Sequence, residues 1–242
     1  MNGALAGTDV IVLAGGLGSR IRPVLGDRPK ILAPVAGRPF LDHLLRFLAR
    51  HRARKVVLSL GHLAESVTAY IAGLSPALPV ETVIEDRPLG TAGAIGFARR
   101  AVASDPVLVL NGDTWLEIDF AAMLAAHRRE PGTLATIACV RVPDAGRYGR
   151  VELADDGAIR RFSEKESGPG KSLLINAGIY LLSAGLMDDL ARGPARSLER
   201  EVFPRLAPGT LCGFVADGRG FIDIGTPESY ARAETVMAAA KP

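Results

Sequence analysis

Apolar positions along the chain follow two rhythms. VIVLA (10–14) is an unbroken apolar run, and KVVLSL (55–60), PVETVIE (79–85) and PVLVLNGD (106–113) are largely apolar stretches of similar length. Such runs fit strands buried on both faces of a sheet. Between them, PFLDHLLRFLARH carries apolar residues at 40, 41, 44, 45 and 48, which is helical spacing. AESVTAYIAG, TAGAIGFARRAV and a stretch from about Phe120 to Arg129 read as further helices. Strand alternating with helix predicts a parallel sheet flanked by helices on both faces.

After Pro131 the rhythm shortens. TLATIACVRV, GRVELAD, AIRRFSE and SLLINAGIYLL are strand-like, with turn residues between them, and SGPGK (167–171) reads as a loop. They predict an antiparallel or mixed addition to the sheet. SLEREVFPRLA reads as a helix led by a Ser N-cap with Glu201 nearby, TLCGFVA and FIDI as strands, and PESYARAETVMAAA as a closing helix. The expected fold is α/β, Rossmann-like, with a mixed but mainly parallel sheet. One domain spans 1–242: a first half at about 9–130, a β-rich half at about 131–225, and the helix 226–238.

Composition narrows the function. At 242 residues and 48% hydrophobic the chain can bury a sizeable core, and 29 basic against 26 acidic residues leave only +3. With 5% aromatics and basic residues spread along the chain, nucleic-acid binding is not expected. Cys139 and Cys212 form no CxxC and read as core residues of a reducing compartment. MNGALAGTD lacks a basic and an apolar region, and no apolar run reaches the roughly 20 residues that span a bilayer. The expectation is a cytoplasmic protein with no membrane contact. The four histidines (43, 51, 62 and 127) read as surface or packing residues.

The chemistry points to the loop after the first strand, GGLGSRIRPVLGDRPK (15–30). In an α/β sheet, ligands bind at the carboxyl ends of the strands. Glycines there let several backbone N–H groups approach an anion, and arginine beside them suits phosphate oxygens. A Walker A run, GxxxxGK[ST], occurs nowhere in the chain. The dinucleotide fingerprint GxGxxG reaches Gly16 and Gly18, but Ile21 occupies its third glycine position.

LAGGLGSRIRP…RPK…PVAGRPF resembles the signature of the sugar-1-phosphate nucleotidyltransferases, with Ser19 for the usual Thr and Ile31 for the usual Pro. EDRPLGTAGAI (85–95), LNGDTWLEID (110–119), RYGRVELADDGAIRRFSEKE (147–166), INAGIYLL (175–182) and FIDIGTPESYARAE (221–234) resemble further motifs of that family, in the same order. The resemblance implies that Gly15, Gly16, Gly18, Arg20 and Lys30 hold the phosphates of a nucleoside triphosphate, with Leu13, Ser19, Glu85, Gly90 and Thr91 completing the nucleotide site. Asp113 and Asp223 would bind Mg²⁺. Lys165 would grip the phosphate of a sugar 1-phosphate, with Glu164, Gly149 and Asn176 at the sugar. Arg20, Lys30, Asp113 and Lys165 form the expected catalytic set. A sugar 1-phosphate is already anionic, so in-line displacement at the α-phosphate needs positioning and charge neutralisation more than a general base.

Glu85 stands where several relatives carry glutamine. Its two acceptors match the adjacent N1–H and N2–H₂ donors of guanine, so GTP is favoured. The run RPLGTAGAI…LNGDT…RYGRV…INAGIYLL…FIDIGTPE most resembles the D-glycero-α-D-manno-heptose 1-phosphate guanylyltransferases, which implies GDP-heptose as product. N-acetylmuramate 1-phosphate uridylyltransfer and mannose 1-phosphate guanylyltransfer are the enzyme alternatives, and a nucleotide-sugar-binding sensor is the alternative outside catalysis. With about a dozen residues after PESY, the β-helical extension of some branches is not expected. Relatives are often dimers or tetramers, which allows a homo-oligomer.

Overall fold

The structure is a computed structural model, and it describes residues 3–143, 148–163, 174–206 and 208–239. Its first half is built from β1 (Asp9–Leu13), the short helix α1 (Arg22–Leu25), a two-residue hairpin β2 (Pro34–Val35) and β3 (Arg38–Pro39), and α2 (Phe40–Arg50). There follow β4 (Lys55–Leu60), α3 (Ala64–Ala72), β5 (Val80–Ile84), α4 (Gly90–Ala98), β6 (Val107–Asn111), β7 (Thr114–Trp115) and α5 (Phe120–Arg129). The second half contributes β8 (Ala135–Arg141), β9 (Arg150–Leu153), β10 (Ile159–Ser163), β11 (Leu174–Leu182), α6 (Ala184–Arg192), β12 (Leu211–Val215), β13 (Ile222–Asp223) and α7 (Pro227–Ala239).

Among the described residues, nine strands form one sheet in the order β10-β9-β11-β6-β1-β4-β5, with β8 and β12 branching from β11. β6, β1, β4 and β5 run parallel, in register Val10↔Leu108 and Val10↔Val56. β11 enters antiparallel: its residues 179–182 lie along β6, while its other edge runs along β8. The sheet is therefore mixed and mainly parallel in the first half, as the apolar rhythm predicts. β12 is parallel to β8, an arrangement the turn pattern does not specify.

Alternate residues of each parallel strand feed two cores. Val10, Val12, Val56, Leu58, Leu108 and Leu110 pack with α2, α5 and α7, while Ile11, Val57, Val107 and Val109 pack with α4 and α6. Both faces are covered, which is why these strands read as continuous apolar runs. α2 buries Phe40, Leu41, Leu44, Leu45 and Leu48, the stripe that its spacing predicts, together with Phe47.

One expected helix is corrected. SLEREVFPRLA forms a single wide turn, Leu198–Val202, followed by a 3-10 turn at Phe203–Arg205. Ser197 does cap the turn, its hydroxyl accepting from Arg200 N–H at 3.2 Å. Pro204 stops an α-helix from continuing, because it lacks an N–H and its ring crowds the carbonyl four residues earlier. Both cysteines are free. Burial pushes the Cys139 thiol up to about 12, so it is inert packing, and Cys212 is half-buried. No helix among the described residues is long and apolar enough to cross a membrane.

Candidate active site

At the carboxyl ends of β1, β4 and β6 lies a cavity of about 580 Å³. Leu13, Gly15, Gly16, Gly18, Lys30, Glu85, Gly90, Thr91 and Asp113 all line it. The elements explain the gathering: all but Lys30 sit at or just after a parallel strand, or at the start of the helix that follows, and Lys30 opens the 3-10 turn Lys30–Leu32. Gly112 donates its N–H to Leu13 O at 2.8 Å, and a side-chain carbon there would lie only 2.7 Å from that oxygen. A glycine is thus needed to bring the end of β6, and with it Asp113, against the end of β1.

Lys30 is drawn to Asp113 by a 2.7 Å ion pair. Desolvation opposes ionisation of Asp113, but the Lys30 ammonium and the Thr114 hydroxyl (3.2 Å) hold its carboxyl below the ordinary carboxylate value. The second acid arrives by a separate route. Thr114 of β7 pairs with Asp223 of β13, and Ile224 N–H donates to Asp113 O at 2.8 Å, so a two-stranded ladder sets the acids side by side. A methyl group on Gly225 would lie 2.8 Å from Asp223 Oδ1, 3.7 Å from Asp113 Oδ2 and 3.9 Å from Arg20 Nη2. Residues separated by up to 205 positions thus meet around one point.

That geometry bears on the metal. No group of three metal-ligating side chains occurs among the described residues. Magnesium is usually held by one or two carboxylates, with phosphates and water filling the other positions. Two aspartates converging beside the glycine-walled cavity fit that donor set. Asp223 is further held by Tyr148, whose hydroxyl donates to Oδ2, and by Gly225 N–H at 3.0 Å to Oδ1.

Glu85 occupies a slot between two strand-end glycines. Methyl groups on Gly15 and Gly61 would sit 3.0 and 2.7 Å from its Oε1, and its Oε2 accepts from Leu89 N–H at 3.2 Å. Desolvation raises its pKa, and the Leu89 N–H and the Arg196 charge oppose the rise. Gly90 adopts φ +75°, and a side-chain carbon there would come within 2.2 Å of Arg196 O. The glycine is therefore required by the protein's own packing as well as by its place in the cavity wall.

Not every expected residue lines the cavity. Ser19, Arg20, Gly149, Asn176 and Asp223 do not. Arg20 and Asp223 lie instead at the Gly225 point. Gly149 accepts from Asn176 N–H at 2.9 Å, joining β11 to the approach to β9. The Asn176 amide bonds to Tyr180 OH (2.9 Å) and Gly178 N–H (2.8 Å). Glu164 and Lys165 lie outside the described residues.

His43 bonds Val35 O at 2.8 Å and His127 bonds Thr136 at 2.9 Å, both packing roles, while His62 is exposed, follows Gly61 at the end of β4 and lines the cavity. Tyr148, Gly225 and Glu199 were not singled out from sequence. Gly225 follows Asp223 at a spacing that could have flagged it, whereas nothing local marks the other two.

The whole chain compares closely with known proteins. The nucleotidyl transferase family model matches residues 9–239. A mannose-1-phosphate guanylyltransferase of Mycobacterium tuberculosis is 36% identical over 93% of this chain and 63% of its own length. A mannose-1-phosphate guanyltransferase relative from Sulfolobus acidocaldarius has only 61% of its length covered, so the chain spans less than two thirds of these two relatives. The D-glycero-alpha-D-manno-heptose 1-phosphate guanylyltransferase of Aneurinibacillus thermoaerophilus is 31% identical over 93% of this chain and 96% of its own length. Among solved structures, HddC from Yersinia pseudotuberculosis superposes with TM-score 0.82 at 33% identity, covering 94% of this chain and 98% of its own, and has also been solved with GMP-PN. Motif order, strand-end cleft and a match over nearly the full length agree: the chain belongs to the nucleotidyl transferase family.

Proposed function

We propose that this chain transfers GMP from GTP to a manno-configured sugar 1-phosphate, D-glycero-α-D-manno-heptose 1-phosphate first, releasing pyrophosphate and forming a GDP-sugar. The observation that carries the reading is the meeting of Asp113, Asp223 and Arg20 at Gly225, beside Lys30 and a glycine-walled cleft. A sugar-phosphate oxygen forms a bond to the α-phosphorus as the bond to the bridging oxygen breaks, and pyrophosphate carries the charge away. The glycine-loop amides, Arg20 and Lys30 offset the triphosphate charge and hold the α-phosphate for in-line approach. Mg²⁺, held by Asp113 and Asp223, would supply further charge neutralisation. Lys165 and Glu164 are proposed to hold the sugar phosphate and hydroxyls. The free cysteines suit a cytoplasmic setting.

Guanine is supported twice: by the Glu85 carboxylate in the cavity wall, and by relatives that are guanylyltransferases for both mannose and heptose phosphates. Mannose 1-phosphate is the second reading, favoured by the 36% identity to the mycobacterial enzyme. The two sugars share their ring up to C5. The test is pyrophosphate release across GTP, UTP, dTTP and CTP with heptose, mannose, glucose and N-acetylmuramate 1-phosphates, with and without Mg²⁺. GTP with a manno-configured phosphate should exceed other pairs by at least about tenfold, a difference of roughly 1.4 kcal/mol. No release with any pair would leave the nucleotide-sugar sensor standing.

A further inference from the structure

A set of side-chain hydrogen bonds away from the Gly225 point ties the cavity wall at Thr91 to strand β11. Glu199 sits on the wide turn Leu198–Val202, which is closed by Val202 N–H bonding five residues back to Ser197 O at 3.2 Å. Its carboxylate takes three hydroxyl donors: Tyr180 to Oε1 at 3.1 Å, and Thr91 and Ser197 to Oε2 at 3.0 and 3.1 Å. Thr91, a cavity-lining residue at the start of α4, accepts in turn from Leu198 N–H at 2.9 Å. Tyr180, fully buried, accepts from the Asn176 amide at 2.9 Å. Asn176 and Tyr180 flank the irregularity at which the register of β11 against β8 shifts.

Two departures from regular structure meet here, a wide helical turn and a strand irregularity, and both kinds are frequent beside functional sites. The direction of the bonds is set as well. A carboxylate only accepts, so all three hydroxyls must donate to it, and the lone pairs of Thr91, Ser197 and Tyr180 turn to Leu198 N–H, Arg200 N–H and the Asn176 amide. Glu199 thus bonds both Thr91 in the cavity wall and Tyr180 on β11.

We infer that Glu199 is a positioning residue: it fixes the start of α4, and hence the nucleotide wall, relative to the β11 segment around Asn176, so that the two substrates meet in line. It does not line the cavity and acts through Thr91 and Tyr180. The inference rests on the transferase reading, and it adds a residue that sets the relative placement of the two substrates.

The experiment is steady-state kinetics with both substrates varied, on the full chain and its Glu199→Ala, Glu199→Gln, Tyr180→Phe and Thr91→Val variants, with a melting curve for each. Glu199→Ala should lower kcat about 10- to 100-fold, the scale of loss from a small misplacement, with either KM changed less than about threefold. Glu199→Gln keeps the shape but offers a donor where hydroxyls already donate, so it should recover part of the loss. It also stands in should the alanine variant not fold. Thr91→Val should cost several-fold in the unmutated background and little more in Glu199→Ala, because both remove the same tie. A lower melting point with kcat and both KM values within about twofold would overturn the inference. So would a rise in one KM alone, or equal Thr91→Val losses in both backgrounds. An active unmutated chain with an equally active Glu199→Ala defeats only this inference, while an inactive unmutated chain defeats the transferase reading and this one with it.

Discussion

The parallel half and the antiparallel half of the sheet hold their candidate residues in different ways. Around β1, β4 and β6 each residue comes from the strand end or the turn just after it: Gly15 and Gly18 after β1, Gly61 and His62 after β4, Asp113 after β6. Backbone pairing of the strands brings these positions to the cleft, and for Asp113 the Lys30 ion pair adds to it. Across the other half, side chains reaching between elements add to the backbone ladders: Tyr148 to Asp223 over 75 positions, and Thr91 to Glu199 over 108. A strand-end site tolerates surface change because the ladder behind it is buried. A site strung on side-chain bonds is only as well placed as its weakest tie.

The largest effect should come from the place where the two modes meet. Asp113→Ala removes one of the converging acids and leaves the Lys30 ammonium without its 2.7 Å partner. Pyrophosphate release at saturating substrates should fall by roughly 10³-fold, and chelation of divalent ions should abolish the unmutated activity. An Asp113→Ala enzyme with full, divalent-dependent turnover would remove the centre from the Gly225 point.

Next comes the contact that crowds the acids. Gly225 has no left-handed backbone requirement, so Gly225→Ala should fold, but the new methyl would press on Asp223 Oδ1 from 2.8 Å. Displacing that carboxylate should lower kcat by about 10- to 100-fold, read beside an unchanged melting point. Unchanged kcat would mean that the acids have more latitude than a shared point allows.

How far each half could be read in the sequence follows from the same contrast. VIVLA, KVVLSL and PVLVLNGD are legible because strands buried on both faces need apolar residues at every position, and the glycine loop is legible because it directly follows one of them. The paired acids Asp113 and Asp223 were reachable through motif order, not through spacing. Glu199 was not reachable: its partners Thr91 and Tyr180 come from elements far apart in the chain, and no local pattern encodes a bond over 108 positions. The segment around it misled as well, since Ser197 and Glu201 look like a helix start, and Pro204 ends the helix before it forms.

A single tie of the second kind should matter less than the acids themselves. Tyr148→Phe deletes the hydroxyl that donates to Asp223 Oδ2 while keeping the ring that packs edge-on against Phe221. Turnover should drop by up to about tenfold, the net worth of one ordinary hydrogen bond, and the magnesium concentration for half-maximal rate should rise. A variant indifferent to both readings would assign Tyr148 to packing alone.

The smallest effect belongs to the parallel half, where stability should respond to pH. Burial between Gly15 and Gly61 raises the Glu85 pKa above its ordinary 4.5, so in the window above that value the native state holds more protons than the unfolded one. Stability then falls as pH rises through the window, and the cost is fully present once both states are ionised. Glu85→Gln removes the charge, and its carbonyl can still accept from Leu89 N–H. The melting point of the variant relative to the unmutated chain should therefore rise between pH 4.5 and pH 7.5, and by little for a group only partly buried. Calorimetry at the two pH values checks it. If the difference shrinks instead, the charged carboxylate is stabilised by more partners than Leu89 and Arg196, and the strand-end slot holds Glu85 as tightly as the side-chain ties hold Asp223.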